Sequence, residues 1–365
     1  MSKANYSINH VNNINILPVS RERMLRAKVA YTPRHVNLKA AVTLLAGDDV
    51  VPNVGDLVLA RIEKIGQHGA LELTNGRRSS LFPGDEIVVC YGNRYAPDQF
   101  EAEVPHNLAA CHLVAAGGIA AQALSWHASI KPPTAIVPIG LLADVNGQRI
   151  NLSSAAVAKL GQSYPLPYTL AVVGTSMNAG KTTTAANLIY GLTNAGLKVG
   201  AAKVTGTGSG KDTFFMSDAG ARPAVDFTDA GVPSTFRLTT AEVEGIFTTL
   251  TNHLAKAEVD VIVLEVADGL YQDETAALLN SAAFTKMVNS VIFAAGDAMG
   301  AMAGVEWLHR KGLPVVAVSG LLTASPLGII EAANATGMLI IDKNMLRDVT
   351  IATKLGIPIK IEPSS

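Results

Sequence analysis

A nine-residue run at positions 174–182, Gly-Thr-Ser-Met-Asn-Ala-Gly-Lys-Thr, constrains the fold of this chain more than any other feature. It follows a continuously apolar segment at 168–174 and leads into a predicted helix at 181–195, which Gly196 ends. A glycine-containing turn between a strand and a helix directs backbone N–H groups and the positive end of the helix dipole at one place. The run therefore predicts a binding site for the phosphate groups of a nucleotide.

The residue types in this run fit that chemistry. Gly180 has no Cβ, so the backbone can approach a ligand closely, and Lys181 supplies a positive charge for the β- and γ-phosphates. The Thr182 hydroxyl can bind Mg²⁺. The motif usually begins with glycine where this chain has Thr175, and Gly174 stands one position earlier. The predicted nucleotide-binding residues are Gly174, Thr175, Ser176, Met177, Asn178, Ala179, Gly180, Lys181, Thr182 and Thr183.

After Pro165, continuously apolar segments alternate with helical patterns. Strands that are apolar on both faces and separated by helices form a parallel sheet with helices on both sides. We therefore predict an α/β P-loop NTPase domain with a doubly wound, mostly parallel sheet at 165–365, whose ligands bind at the carboxyl ends of the strands. Its predicted strands are 168–174, 198–204, 260–266, 290–295, 314–319 and 338–342, and its predicted helices are 181–195, 241–256, 298–311 and 326–336.

The first half of the chain has the pattern of a smaller, β-rich domain. Asn-Gly pairs at 75–76 and 146–147 separate strand-like segments, and such pairs favour hairpins because both turn residues need positive φ. A helix is predicted at 107–116. We predict a barrel-like domain with a helical insert at 18–164, preceded by a flexible tail at 1–17.

Composition argues against several classes of function. The net charge of −1 gives no electrostatic reason to expect nucleic acid or an anionic membrane as a partner. Two cysteines are too few for a disulfide framework or a thiolate metal site, and the eight histidines have no metal-ligand spacing. No apolar run reaches membrane-spanning length, and the N-terminus lacks the pattern of a signal peptide. We expect a soluble, cytoplasmic protein.

Charged side chains at a strand end are candidates for the rest of the site. Glu265 ends an apolar segment and is followed by Asp268 and Gly269. A carboxylate in such a place can hold Mg²⁺ directly or through water, or it can accept hydrogen bonds from the amides of a helix N-terminus. Glu265 is the predicted metal ligand, and Asp268 is a candidate contact of the metal or of a substrate.

Two loops are candidates for contacting a substrate. The glycine-rich segment 206–212 lacks the hydroxyl residue that follows the lysine of a phosphate loop, so it is either a mobile loop over the substrate or γ-phosphate, or a flexible connection. The segment 91–99 carries Arg94 between tyrosines and turn residues, and it is either a recognition loop or a solvated hairpin connection. Thr205, Gly206 and Arg94 are the candidate substrate contacts of these regions.

Several motifs resemble those of known P-loop proteins. Gly-Thr, four residues and Gly-Lys-Thr is similar to the loop of dethiobiotin synthetase and cobyrinic acid a,c-diamide synthase. The segment 201–206 resembles the second-strand segment of dethiobiotin synthetase, and 264–269 resembles its Mg²⁺-binding segment. The resemblance spans roughly 168–358. The segment 265–271 is also similar to a related P-loop family that includes D-glutamate N-acyltransferases, whereas the N-terminal half resembles none of these proteins.

The resemblance implies roles for particular residues. It implies that Lys203 faces phosphate and substrate and acts as a catalytic residue beside Lys181 and Glu265, with Glu265 binding Mg²⁺. A second Mg²⁺ carboxylate comes from the intervening region in that family. The candidates in this chain are Asp212, Asp218 and Asp226, among which Asp226 is favoured.

Two absent motifs bear on the nucleotide. Partition-type ATPases carry a second lysine five residues before the loop lysine, and this chain has Ser176 there. Guanine-specific proteins usually carry Asn-Lys-x-Asp after a late strand, and the segment after 314–319 has no such motif. The predicted ligands are therefore ATP, in preference to GTP, and Mg²⁺.

The leading functional hypothesis is an ATP-dependent ligase or phosphotransferase that activates or phosphorylates a small molecule, such as a carboxylate or an amine-derived carbamate. One alternative is a nucleotide-operated switch or chaperone, in which ATP moves the β-rich domain against a partner protein. Another is an acyltransferase that uses the same scaffold. A homodimer is expected by analogy with dethiobiotin synthetase and from the small-residue segment 296–305, which an ordinary buried helix would equally explain.

Overall fold

The computed structural model of the protein describes residues 14–158 and 164–358. Its first part is a large, mainly antiparallel β structure, and its second part is an α/β structure with a parallel sheet. The fold class predicted from the sequence is therefore confirmed. The elements of the first part are β1 (Asn15–Pro18), α1 (Arg21–Arg26), β2 (Lys28–Val29), β3 (Thr43–Ala46), β4 (Leu57–Lys64), β5 (Ala70–Glu72), β6 (Arg78–Ser80), β7 (Glu86–Tyr91), β8 (Arg94–Tyr95), β9 (Phe100–Glu103), β10 (Cys111–Ala115), β11 (Ile119–Trp126) and β12 (Thr134–Ala143).

The central strands of the first part close into a barrel. Strand β12 pairs with β4, β4 with β7, β7 with β11, β11 with β10, and β10 returns to β12. The pairing of β7 with β11 is parallel and the others are antiparallel. Strand β4 shows why closure is stable: Val58 and Ile62 belong to one buried apolar cluster, whereas Leu57 belongs to another on the opposite face.

The helix predicted at 107–116 is wrong, because Cys111–Ala115 is strand β10. Its side chains alternate between two cores: Cys111 and Leu113 lie in one buried cluster, and Val114 lies in another. The next strand, β11, pairs with one edge of β10, and β12, further along the chain, pairs with the other edge. The pattern within 107–116 carries no information about the pairing with β12.

Both predicted hairpin turns form, but with a different backbone conformation. Gly76 and Gly147 have φ values of 82° and 75°, whereas neither asparagine is among the residues with positive φ. The expectation that both turn residues need positive φ is therefore corrected. The Asn75 side chain instead accepts a hydrogen bond from Arg77 N at 3.1 Å, which stabilises the turn locally.

The prediction of a flexible tail at 1–17 is wrong for its last three residues. Residues 1–13 lie outside the described residues, but Asn15–Pro18 forms β1 and pairs with Thr43–Ala46. Backbone hydrogen bonds to β3 order this segment although its side chains are exposed. Residues 159–163, where the predicted boundary lies, and 359–365 are also outside the described residues.

The second part is a six-stranded parallel sheet in the order β15-β14-β16-β13-β17-β18, with one large apolar core cluster on each face. Strand β13 lies inside the sheet, so the loop that follows it is flanked by the ends of β16 and β17. Its elements are β13 (Tyr168–Gly174), α2 (Lys181–Asn194), β14 (Val199–Lys203), α3 (Gly210–Asp218), β15 (Ala224–Asp226), α4 (Thr240–Lys256), β16 (Val261–Glu265), α5 (Asp273–Leu279), α6 (Ala282–Met287), β17 (Ser290–Ala294), α7 (Ala298–Arg310), β18 (Val315–Ser319), α8 (Pro326–Thr336), α9 (Lys343–Arg347) and α10 (Ile351–Lys354).

The strand predicted at 338–342 does not form. A single bridge joins Ile340 to Val318, and the Asp342 side chain then accepts a hydrogen bond from Met345 N and begins α9. The helix cap ends the extended segment before a ladder can develop. Across the parts of the chain that the structure describes, no helix combines the length and apolarity needed to cross a bilayer.

Candidate nucleotide and substrate site

The loop between β13 and α2 has a backbone that requires glycine at two places. Gly180 has φ of 98°, and a Cβ there would lie 3.0 Å from Gly320 Cα. A Cβ on Gly174 would lie 2.7 Å from Ala294 O and 2.8 Å from Lys181 Cγ. Gly174 therefore lets the loop lysine and strand β17 pack against the end of β13. The close packing explains why glycine stands one position earlier than the generic motif places it.

Lys181 is the first residue of α2 and is 5% exposed. Its Nζ donates to Ser176 O at 2.7 Å, so the side chain folds back over the loop. Burial lowers the pKa of Lys181, while the carboxylates of Glu265 and Asp268 oppose this effect. A buried ammonium beside the unpaired N–H groups of a helix N-terminus is suited to hold phosphate oxygens.

Thr182, in the first turn of α2, meets Glu265 at the carboxyl end of β16. Thr182 Oγ1 donates to Glu265 Oε1 at 2.8 Å. The other carboxylate oxygen, Oε2, is buried without a hydrogen-bond partner, and burial raises the pKa of Glu265. A hydroxyl and an unpartnered buried carboxylate oxygen are ligands that suit Mg²⁺. No cluster of three or more acidic, His or Cys side chains that could hold a metal occurs within 14–158 and 164–358, so phosphate and water oxygens would complete the shell.

Lys203 ends β14, directly opposite Glu265 of β16 in the parallel register. Its Nζ forms an ion pair with Asp212 of α3. Burial would lower the pKa of Lys203, but Asp212 and Glu265 overcome this effect and raise it. Lys203 is therefore a permanently charged ammonium on the wall of the site.

The favoured second metal ligand, Asp226, does not reach the site. It lies on β15, one strand beyond Lys203, and is 1% exposed. Its carboxylate accepts hydrogen bonds from Tyr31 Oη at 2.8 Å, from Thr213 Oγ1 at 3.1 Å and from Thr228 N at 2.7 Å. Tyr31 belongs to the first domain, so the Asp226 carboxylate is part of the contact between the two domains. Of the three candidate aspartates, only Asp212 is among the cavity-lining residues.

A cavity of about 550 Å³ lies at the carboxyl ends of the strands and is lined by both domains. Among the predicted phosphate-site residues, Met177, Asn178, Gly180, Lys181, Thr182 and Thr183 line it. A second cavity of about 360 Å³ adjoins Gly180 and Thr183 and extends to Ser319 and Asp342. The loop therefore stands between two spaces, one shared with the barrel and one within the α/β domain.

The predicted loop at 206–212 is a short connection followed by helix α3. Gly206 lines the shared cavity, and its N–H donates to Thr235 Oγ1 at 2.9 Å. Thr205 is buried outside the lining and donates to Ala267 O, so its candidate role as a substrate contact is corrected. Asp268 lines the cavity, and burial raises its pKa.

Residues of the barrel form one wall of the shared cavity, and the sequence predicted only part of this wall, the segment 91–99. Arg94 is 6% exposed, which rules out a solvated hairpin connection at this residue. Asp98 Oδ2 accepts a hydrogen bond from Asn178 Nδ2 at 2.8 Å, so the turn after β8 contacts the phosphate loop. Asp98 and Gln99, which lie in the candidate recognition segment 91–99, also line the cavity. His68 lines it too and was not predicted, because nothing in its local sequence indicates a contact with this cavity.

Comparisons with known proteins match the α/β part. The family model of MobB, molybdopterin guanine dinucleotide synthesis protein B, matches residues 169–272, which is less than half of the chain. No curated protein matches.

Solved structures of P-loop proteins are also similar. The 54 kDa protein of the signal recognition particle from Aeropyrum pernix K1, in complex with GDP, is 21% identical with a TM-score of 0.35, over 56% of this chain and 50% of that one. The signal recognition particle receptor FtsY from Elizabethkingia anophelis is 17% identical with a TM-score of 0.32, over 52% and 60%. The kinase domain of Escherichia coli tyrosine kinase ETK is 12% identical with a TM-score of 0.31, over 41% and 66%. The chain thus spans between half and two thirds of the length of these structures.

Proposed function

We propose that this protein is an Mg²⁺-ATP-dependent enzyme, a ligase or phosphotransferase of the dethiobiotin synthetase type, that activates or phosphorylates a small molecule. The observation that carries the proposal is the group formed by Lys181, Thr182 and Glu265 in a cavity that two domains share. A switch needs a nucleotide site, whereas an enzyme also needs an enclosed space for a second reactant. The cavity of about 550 Å³ has room for both phosphates and a small molecule.

In this proposal, the residues of the cavity have separate roles. The loop amides and Lys181 hold the phosphates, and Thr182 and Glu265 hold Mg²⁺, which neutralises phosphate charge when it is bound. Lys203 faces the same cavity, so its ammonium stabilises negative charge on a transferring phosphoryl group. Asp212 keeps this ammonium in place through their ion pair.

The cavity that extends from Gly180 to Asp342 is the proposed place of the nucleobase. It lies beside Thr183, on the side of the loop away from the barrel, and it contains polar groups of Ser319, Asn187 and Asp342. Absence of the guanine motif Asn-Lys-x-Asp after β18 supports ATP over GTP. Competition of ATP and GTP for a fluorescent nucleotide would test this choice, and tighter binding of GTP would contradict it.

A nucleotide-operated switch is the second candidate. The hydrogen bond from Asn178 to Asp98 supports it, because a nucleotide that reshapes the phosphate loop would change a contact with the barrel. A metabolite screen by thermal shift separates the two functions. A small molecule that stabilises the protein only with Mg²⁺ and a non-hydrolysable ATP analogue supports the enzyme, and absence of any such molecule supports the switch.

A further inference from the structure

Arg94 is an enclosed guanidinium on the barrel wall of the shared cavity. It is 6% exposed. Its Nη1 donates to Val114 O and its Nη2 donates to Gln99 Oε1 at 2.8 Å, and both of these partners are neutral. Its Nε is buried without a hydrogen-bond partner. Among the described residues, no carboxylate lies within 4.0 Å of this guanidinium.

A buried positive charge without a paired counter-ion is costly, because two neutral acceptors replace only part of the hydration that the ion loses. Burial lowers the pKa of Arg94 to about 10, although Asp98 and Asp268 attract the charge from a greater distance. Asp98 is partly engaged elsewhere, since its Oδ2 accepts from Asn178. The wall therefore has one N–H group without an acceptor, on a positive charge that no carboxylate of the described residues pairs with directly.

The neighbouring His68 does not share this charge. Its Nε2 lies 2.9 Å from Val114 O, the carbonyl that also accepts from Arg94. Burial lowers the pKa of His68 to about 4, so the ring is neutral at pH 7, and Nε2 carries the proton because a carbonyl can only accept. The positive charge at this end of the cavity is thus that of Arg94.

We propose that Arg94 binds a carboxylate of the small-molecule substrate, so that the barrel recognises the substrate while the α/β domain binds the nucleotide. This inference rests on the proposed function. A guanidinium suits the planar carboxylate better than an ammonium does, because its N–H groups form a fixed fork. The terminal phosphate of the nucleotide is the other possible source of a negative group. Lys181 and Lys203 of the α/β domain line the same cavity and are the cations proposed for that phosphate.

The test uses matched acids and amides with the full-length protein. Succinate and succinamide, glutarate and glutaramide, and benzoate and benzamide are titrated by calorimetry in the presence of Mg²⁺ and a non-hydrolysable ATP analogue. We expect at least one acid to bind and its amide to bind at least ~10-fold more weakly. Arg94→Gln should weaken the acid at least ~10-fold and leave the affinity for the ATP analogue within ~2-fold. Arg61→Gln, an exposed arginine of β4, is the matched control and should change neither.

Three results would overturn the proposal: no acid of the panel binds, Arg94→Gln leaves acid binding unchanged, or Arg94→Gln weakens the ATP analogue as much as Lys181→Ala does. The last result would assign Arg94 to the terminal phosphate. If the ATP analogue fails to bind the unmodified protein, the proposed function itself is wrong. If Arg94→Gln does not fold, a crystal structure of the unmodified protein with the bound acid tests the proposal. A contact between the acid's carboxylate and Arg94 would support it, and absence of this contact would overturn it.

Discussion

At the scale of single residues, the site contains polar groups that the folded chain leaves without full partners. Glu265 Oε2 and Arg94 Nε are both buried and unpartnered. In native proteins such groups are uncommon, since leaving a buried polar atom unpaired costs about 1–3 kcal/mol. Both line the same cavity, and we propose that bound ligands complete their interactions.

Lys181→Ala tests the phosphate site. The side chain contacts a loop carbonyl, so its loss should leave the fold intact and weaken ATP at least ~10-fold, as expected for a charge-assisted hydrogen bond. Calorimetry measures affinity and circular dichroism checks the fold. Lys198→Ala, an exposed lysine before β14, should have no effect. Retained affinity in Lys181→Ala would refute the assignment.

Glu265→Gln tests the metal site. The amide can still accept the hydrogen bond from Thr182, but it lacks the charge that attracts Mg²⁺. We expect the Mg²⁺ concentration needed for half-maximal turnover to rise ~10-fold or more, and nucleotide affinity to change less. A titration of turnover with Mg²⁺ measures this effect. An unchanged titration would mean that Glu265 only supports the structure.

At the scale of elements, two residues between β2 and β3, Arg34 and His35, connect the barrel to the segment after β15. Arg34 Nη2 donates to Asp229 Oδ1 at 2.6 Å, and Arg34 Nη1 donates to Thr228 Oγ1 at 2.6 Å. His35 Nε2 lies 3.1 Å from the same carboxylate oxygen. This clamp holds the segment that follows β15 against the first domain.

The clamp predicts a pH dependence of stability. Burial alone would raise the pKa of Asp229, but His35 and Arg34 overcome this effect and lower it. The carboxylate therefore stabilises the folded protein above the ordinary pKa of about 3.9, and this contribution is lost as the pH falls through the lower, folded-state pKa. We expect Asp229→Asn to cost about 2 kcal/mol at pH 7 and progressively less below about pH 4. Urea unfolding at several pH values measures this difference, and a difference independent of pH would contradict the clamp.

At the scale of the whole molecule, the two domains line one cavity, and each contributes different residues to it. The barrel also supports the start of α3 directly, because Glu72 Oε2 accepts hydrogen bonds from Gly210 N and Ser209 Oγ, both at 3.0 Å. Helix α3 carries Asp212, which pairs with Lys203. We propose that the domain boundary lies near residues 164–165, with substrate recognition in the domain before it and nucleotide binding in the domain after it.

A fragment of residues 163–365 should bind ATP but show no turnover. The residues assigned to the phosphates and Mg²⁺ all belong to this fragment, whereas Arg94 and the Glu72 cap of α3 do not. Affinity and turnover should be measured separately on the same preparation, beside the full-length protein. A folded fragment without ATP affinity would show that the barrel completes the nucleotide site.

A homodimer formed by the α/β domain remains a prediction. Gly304 is explained within the chain, since a Cβ there would lie 2.0 Å from Phe293, so this small residue is no sign of a partner helix. Exposed apolar side chains on α7 and α8, Met299, Leu327 and Ile330, are the remaining support. Light scattering with and without Mg²⁺-ATP would test the prediction, and a monomer mass in both conditions would refute it.

The sequence by itself determined the α/β domain and its phosphate loop, because both depend on near neighbours. A continuously apolar strand, a glycine turn and a helix follow one another within 168–194, so periodicity and residue type were sufficient. Tertiary structure alone decided which side chains meet. Strand β10 pairs with β12 on the edge away from its neighbour β11, Asp226 accepts a hydrogen bond from Tyr31, 195 residues away, and Arg94 is buried on the wall of a cavity that both domains line. These outcomes depend on packing between distant segments, which no local pattern records.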